Sequence, residues 1–424
     1  MSRTNRDWLP VYCNPDALLP KIPETRALFN WRPMLVQDFI GKAISFLETD
    51  EIKRVGLHYD PRRVIPCRWK CSDESLFGVD LAIFAHTRAY PFDKGKIGGM
   101  FNAASLGAAV LHGSINVDVG GSHVGYVPDD QGGSFGRIWR PATQQYSTDC
   151  GYLMGVLAPF ARVYRDACES ILVSQPSGER PLISVPNEYV QPTWSSERIK
   201  LLVTLGDLTD GEVEYQPDLP HTATTMGRSL FYLHPRFLDG LDADMARSLC
   251  TPKRRRIGRL LRHRYFNIWD SEADLDNGLP VDRLLLYMKF ILSARHSPAP
   301  LKAAVVNAAI QHNRLTDAVR LGAYRDYDFV SFSGVFIDQY DLKSRAYINL
   351  FQPMGMTIKP RGQTREREFT PEQIHEIFGR MPMAEPVVPL EQVYGYERPD
   401  HVLQRFTFEP GRFSRNDPQG PGSG

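Results

Sequence analysis

The sequence predicts an α/β protein in which a partly parallel sheet is flanked by helices. An amphipathic helix opens the foldable part of the chain, strand-length apolar runs separated by helical segments follow, and the second half alternates helices and strands as a mixed α+β extension. The boundaries read as a surface segment at 1–34, a core at 35–216, the extension at 217–410 and a disordered tail at 411–424.

The first thirty residues are proline-rich and broken by polar turns, so they are expected to wrap a surface. In LVQDFIGKAISFLETD (35–50), Val36, Phe39, Ile40, Ala43, Ile44 and Leu47 recur at helical spacing, which predicts a helix ending near Glu48 that covers one face of a sheet. VDLAIFAH (79–86), SINVDVGG (114–121) and RIKLLVTL (198–205) have the length and apolar content of strands. The small-residue segment FNAASLGAAVLHG (101–113) between the first two reads as a closely packed helix.

In the second half, the basic stretch TPKRRRIGRLLRHRYF (251–266) would place Arg255, Arg259 and Arg262 on one helical face. Such a run is usually a solvated surface. Two helical runs follow, at 280–296 and 300–322, and then strand-like FVSFSGVFIDQY (329–340) and AYINLFQP (346–353). Thr370, Pro371 and Gln373 carry a capping box that starts a further helix. The tail NDPQGPGSG holds no core-forming residue.

Composition narrows the function. The 424 residues are 42% hydrophobic, enough for a large core, and 50 Lys+Arg against 49 Asp+Glu leave a net charge of +1. A nearly neutral chain offers no general field for nucleic acid or an anionic membrane, so a nucleic-acid role is disfavoured. No run approaches a membrane span and MSRTNRDWLP lacks the apolar core of a signal peptide, which makes a cytoplasmic location the expectation. The six cysteines are sparse and irregular, unlike a disulfide framework, and reduced thiols are free to bind metal.

Three of the metal-capable residues fall on distant segments: Cys71 in CSDES, His123 in GGSHVGYVPDD and Cys150 in QQYSTDCGYL. Separations of 52 and 27 residues are not those of a zinc finger. Single ligands from three segments suit a site assembled by the tertiary fold. Two thiolates and a neutral imidazole match borderline-soft zinc and leave a fourth position open. Spacing alone leaves the alternative that the cysteines are small buried hydrophobes and the histidine is simply hydrogen-bonded.

The order of motifs carries more. CSDES, then GKIGGMFNAASLGAAVLHGSINVDVGGSHVGYVPDD, then YSTDCGYLMG resembles the limiting-CO2-inducible protein B/C family, a divergent group of β-carbonic anhydrases, over about residues 55–160. The resemblance implies a β-carbonic-anhydrase-like core and makes Cys71, His123 and Cys150 zinc ligands, with Asp73 the acidic partner beside the fourth position. Cys71 is preferred to Cys67 because only Cys71 has an acid two residues on. Gly120, Gly121 and Gly125 would let the backbone approach the metal. The implied reaction is reversible hydration of CO2 to bicarbonate by zinc-bound hydroxide, with a homodimer as the implied assembly. The alternative is an inactive zinc protein serving structure or ligand sensing.

One departure bears on activity. β-Carbonic anhydrases pair the aspartate with an arginine two residues later, where this chain has Ser75. The arginine must then come from elsewhere. Arg88, Arg68 and Arg137 are the candidates, with Arg88 favoured because it follows the 79–86 segment. His86 and His112 are the histidines nearest in sequence to the site, and neither is assigned a proton-shuttle role.

Overall fold

The structure, a computed structural model, describes residues 33–102, 115–128, 134–177, 179–190, 199–203, 208–212, 227–239, 241, 243–256, 266–270, 284, 287–292, 299–396 and 398–405. The expectations for the segments at 1–32 and 411–424, for most of 101–113 including His112, for most of the helix at 280–296, and for Arg259 and Arg262, lie outside the described residues.

Helix α1, Val36–Leu47, forms as its periodicity predicts, with Glu48 as its C-cap. Strand β1, Val64–Trp69, leads to the CSDES segment. There Asp73 accepts a hydrogen bond from the Ser75 N–H at 3.0 Å, which starts the short 3₁₀ turn Glu74–Leu76 and then helix α2, Phe77–Thr87. This corrects the strand expected at 79–86. Gly78, Val79, Asp80, Ala82, Ile83, Ala85 and His86 are all buried, so the segment is enclosed nearly all round and shows no one-sided period to separate a buried helix from a strand.

Strand β2, Ile115–Val127, is longer than the run at 114–121 and carries His123 within it. Strands β3, Arg137–Arg140, and β4, Gln145–Thr148, form an antiparallel hairpin that delivers Cys150 to the start of helix α3, Gly151–Ser170. Helix α4, Ala299–Arg320, precedes strands β5, Asp328–Asp341, and β6, Ala346–Lys359. Helix α5, Pro371–Arg380, has the expected capping box at Thr370 and Gln373.

The chain divides into two compact units, Met1–Met154 with His296–Gly424, and Gly155–Arg295. The first holds an eight-stranded mixed sheet whose central order is Met34–Leu35, β6, β5, β2, β1, Phe92–Asp93. β5, β2, β1 and Phe92–Asp93 are mutually parallel, whereas β6 runs antiparallel to β5. The expected C-terminal extension therefore supplies two of the longest strands of the central sheet. A parallel strand can pair with a segment two hundred residues away, and no local pattern records which partner it takes.

Helices cover both faces of the sheet. On one, Phe39 of α1 packs its ring against Phe332, Phe351 and Phe378, with centroids 4.4–5.4 Å apart. On the other, Leu315 and Val319 of α4 pack with Trp69, Phe101, Tyr324 and Phe329. The strands buried between them read as near-continuous apolar runs, as sheets covered on both faces do.

The second unit has an antiparallel five-stranded sheet in the order Thr209–Glu212, Arg228–Leu233, Leu182–Pro186, Leu172–Ser174, Arg255–Arg256, over a core that includes Ile183, Val185 and Phe231. Arg255 thus stands on an exposed edge strand, not on the expected helical face. Ile199–Val203, inside the strand expected at 198–205, pairs with Phe266–Asp270.

Candidate metal centre

All three residues singled out by the motifs meet. The ligand atoms of Cys71, His123 and Cys150 lie within 4.8 Å of one another, and the residues are 5%, 1% and 2% exposed. Each arrives from a different element: Cys71 from the segment after β1, His123 from β2, and Cys150 from the loop between β4 and α3. Parallel β1 ends at Trp69, in register with Gly120 of β2, and β2 runs on to Val127, so Cys71 just beyond β1 comes alongside the stretch of β2 that carries His123.

The glycines near His123 serve packing, which corrects the metal-approach role expected of them. A Cβ at Gly120 would overlap the Trp69 indole, and one at Gly121 would overlap the Gly334 carbonyl across the β2–β5 pair. A Cβ at Gly125 would stand 2.7 Å from Cβ of Asp149, so this position makes room for the residue next to Cys150. The backbone does approach a ligand elsewhere. Gly98, at φ +80°, donates its N–H to Cys71 Sγ at 3.1 Å, from a left-handed conformation that glycine adopts without penalty.

His123 Nδ1 lies 2.8 Å from Asp338 Oδ2 and 3.3 Å from Asp149 Oδ2. Its Nε2 is buried and forms no hydrogen bond within the described structure. Burial pushes the imidazole down, but Asp149 and Asp338 outweigh that and hold it well above its ordinary value. A cation at Nε2 would take the place of that proton while Nδ1–H stays on Asp338. The thiols respond to each other. The Cys150 S–H donates to Cys71, which lowers Cys71 and raises Cys150, so Cys71 is the readier thiolate.

The donor set fits a zinc ion. Two sulfurs and an orphaned imidazole nitrogen are gathered in a buried pocket, and the histidine's other nitrogen is already committed to a carboxylate. Cys67, the rival first ligand, is buried in β1 with its Sγ 3.6 Å from Asn116 Oδ1, next to the Lys94–Asp118 pair. Burial there pushes its thiol upward.

The arginine on Asp73 is Arg140, not Arg88. Arg140 Nη1 donates to Asp73 Oδ1 at 2.8 Å and Nη2 donates to Oδ2 at 3.0 Å. Burial alone would raise Asp73, but the guanidinium, the Ser75 N–H and the charge of His123 hold it well below the usual carboxylate range. Arg88 is the left-handed C-cap of α2, at φ 55°, and directs Nη2 to the Val387 carbonyl at 3.4 Å. Arg68 pairs with Asp80 at 2.9 Å, and Arg137 lies near the Tyr146 ring.

Sequence reading missed Arg140, Asp149 and Asp338. Asp149 adjoins Cys150, and Asp338 is the one acid inside FVSFSGVFIDQY, an oddity in a strand buried on both faces. His86 is buried against Gly41 of α1.

No protein-family model matches the chain, and no curated protein matches it. Among solved structures it is similar to the crystal structure of PtLCIB4, a homolog of the limiting CO2-inducible protein LCIB, at 12% identity over 80% of this chain and 94% of that one, with a TM-score of 0.42. It is also similar to the crystal structure of the limiting CO2-inducible protein LCIB, at 12% identity over 80% of this chain and 95% of that one, with a TM-score of 0.36. No helix among the described residues is long and apolar enough to cross a membrane.

Proposed function

We propose that the protein is a zinc-dependent carbonic anhydrase that interconverts CO2 and bicarbonate. The observation that carries this reading is the convergence of Cys71, His123 and Cys150 beside an aspartate gripped by an arginine. Zinc, when bound, supplies the Lewis acid that makes water a nucleophile near neutral pH. The chain does the rest. Cys71 and Cys150 supply two negative sulfurs that offset the charge of the ion, and His123 is oriented by Asp338.

Asp73 has two possible jobs: to accept a hydrogen bond from the reacting water, or to ligate the metal and close the site. Arg140 engages both carboxylate oxygens and so restrains Asp73 from ligation, which favours the open arrangement despite Ser75 in the usual arginine position. The reaction balances as CO2 plus water giving bicarbonate and a proton. The test is zinc content together with stopped-flow CO2 hydration on the full chain. Bound zinc with a rate above buffer supports the reading; bound zinc with no such rate favours the alternative of a structural or sensing zinc protein.

A further inference from the structure

We propose that Asp338 is a positioning residue for the metal centre, acting through His123, and that Ser75 serves to hold Asp338. The inference rests on the zinc reading above.

β2 and β5 are parallel neighbours, with His123 in register with Phe336 and Gly125 with Asp338. Residues two apart on a strand share a face, so the Asp338 carboxylate stands beside the imidazole. Both residues are almost wholly enclosed, at 0% and 1% exposure. Asp338 Oδ2 accepts from His123 Nδ1 at 2.8 Å and from Ser75 Oγ at 3.0 Å. Asp338 Oδ1 accepts from Asn349 Nδ2 at 2.8 Å, and the same amide donates to the Ser75 carbonyl at 2.8 Å.

Three donors therefore hold one carboxylate. A carboxylate fixed in this way fixes the ring that donates to it, selecting the tautomer with hydrogen on Nδ1 and the lone pair on Nε2. Asp149 Oδ2 lies farther from the same nitrogen, at 3.3 Å against 2.8 Å, which leaves Asp338 as the closer acceptor.

Ser75 then has a reason to be a serine. Its N–H donates to the Asp73 carboxylate while its hydroxyl donates to Asp338, so one residue ties the acid partner to the carboxylate that orients the histidine. The Ser75 side chain is fully enclosed.

The test uses the full chain, with zinc affinity measured by chelator competition and the nitrogen shifts of His123 followed by NMR after histidine-selective labelling. Asp338→Asn is expected to weaken zinc about 10- to 100-fold and to move the His123 nitrogen shifts. Ser75→Ala, which removes one atom, is expected to weaken zinc about 3- to 10-fold, the worth of one buried hydrogen bond, and Ser75→Thr to restore most of it. A purely structural role would lower thermal stability without moving the nitrogen shifts. If Asp338→Asn fails to fold, Ser75→Ala decides. Zinc bound by the wild type and held equally tightly by Ser75→Ala, with unchanged shifts, overturns the inference alone. A wild type that takes up no zinc overturns the zinc reading and this inference with it.

Discussion

Arg140, on the β3–β4 hairpin, grips Asp73 through two hydrogen bonds, at 2.8 and 3.0 Å, although it lies 67 positions farther along the chain, and it also contacts Glu74. A planar guanidinium can hold both carboxylate oxygens at once, and a lysine ammonium cannot. Arg140→Ala and Arg140→Lys are both expected to keep zinc and to lower CO2 hydration, the alanine by about 10²- to 10⁴-fold, the usual range for losing a positioned proton-handling group. Arg88→Ala should leave both properties unchanged. Full activity in Arg140→Ala would remove the pair from the mechanism.

The three ligands should behave as a unit. Cys71→Ser, His123→Ala or Cys150→Ser is expected to strip zinc, and with it the stabilisation that bound metal confers, about 4 kcal/mol when zinc stands at a thousand times its dissociation constant. Cys67→Ser should keep the metal because its sulfur faces Asn116. Metal analysis and thermal melts with and without zinc check this, and zinc retained in His123→Ala would refute the assignment.

Zinc binding should release protons. With Cys71 lowered but Cys150 and His123 raised, the last two carry protons near neutral pH that coordination displaces. The sign follows: affinity rises with pH below the raised values of Cys150 and His123 and falls in acid. Two displaced protons give roughly a 100-fold change in affinity per pH unit. Calorimetry in buffers of differing ionisation heat counts them, and a release near zero would show that the ring and thiol are already deprotonated.

Much of this site was legible in the sequence because its candidate ligands sit in compact motifs. CSDES, GGSHVG and STDCG each place a donor beside residues that shape the local backbone, and the Thr370 capping box is as local as a signal can be. What escaped depends on distant pairing. Asp338 meets His123 only because β5 lies parallel to β2 in one register, and Arg140 meets Asp73 only because the β3–β4 hairpin folds back. The segment 79–86 misled for another reason, since Val79, Ala82, Ile83 and Ala85 are buried together with Asp80 and His86, and a segment enclosed nearly all round has no period to read.

The buried pair of Lys94 and Asp118 offers a test away from the site. Both side chains are 0% exposed, Nζ lies 2.8 Å from Oδ1, and Tyr324 Oη accepts from the same ammonium at 2.8 Å. Removing one partner leaves an uncompensated buried charge, so Lys94→Met should cost about 3–5 kcal/mol, whereas Lys94→Met with Asp118→Leu should recover much of that. Urea unfolding of the single and double variants measures it. A double variant no more stable than the single would mean that the cavity, not the charge, dominates.

Gly121 provides the sharpest packing test, because it lies two residues from His123 where β2 meets β5. A Cβ there would overlap the Gly334 carbonyl, and Gly334 is itself confined by the Gln352 carbonyl and the Phe351 ring on its other side. Backbone on both sides cannot yield as a flexible side chain would, and β2 and β5 are paired from Asp328 with Ile115 through to Asp338 with Gly125, so neither strand can shift alone. Gly121→Ala should therefore cost at least about 1–3 kcal/mol, the range for overpacking a filled core. It should also weaken zinc, since spreading the strands moves His123 away from Asp338. Gly155→Ala is the control. It lies in α3 with nothing within 4 Å of the added carbon, and it should be stabilising by roughly 0.5–1 kcal/mol through helix propensity. Equal urea midpoints for the two variants would show that β2 and β5 can separate freely and would weaken the case that their register builds the metal centre.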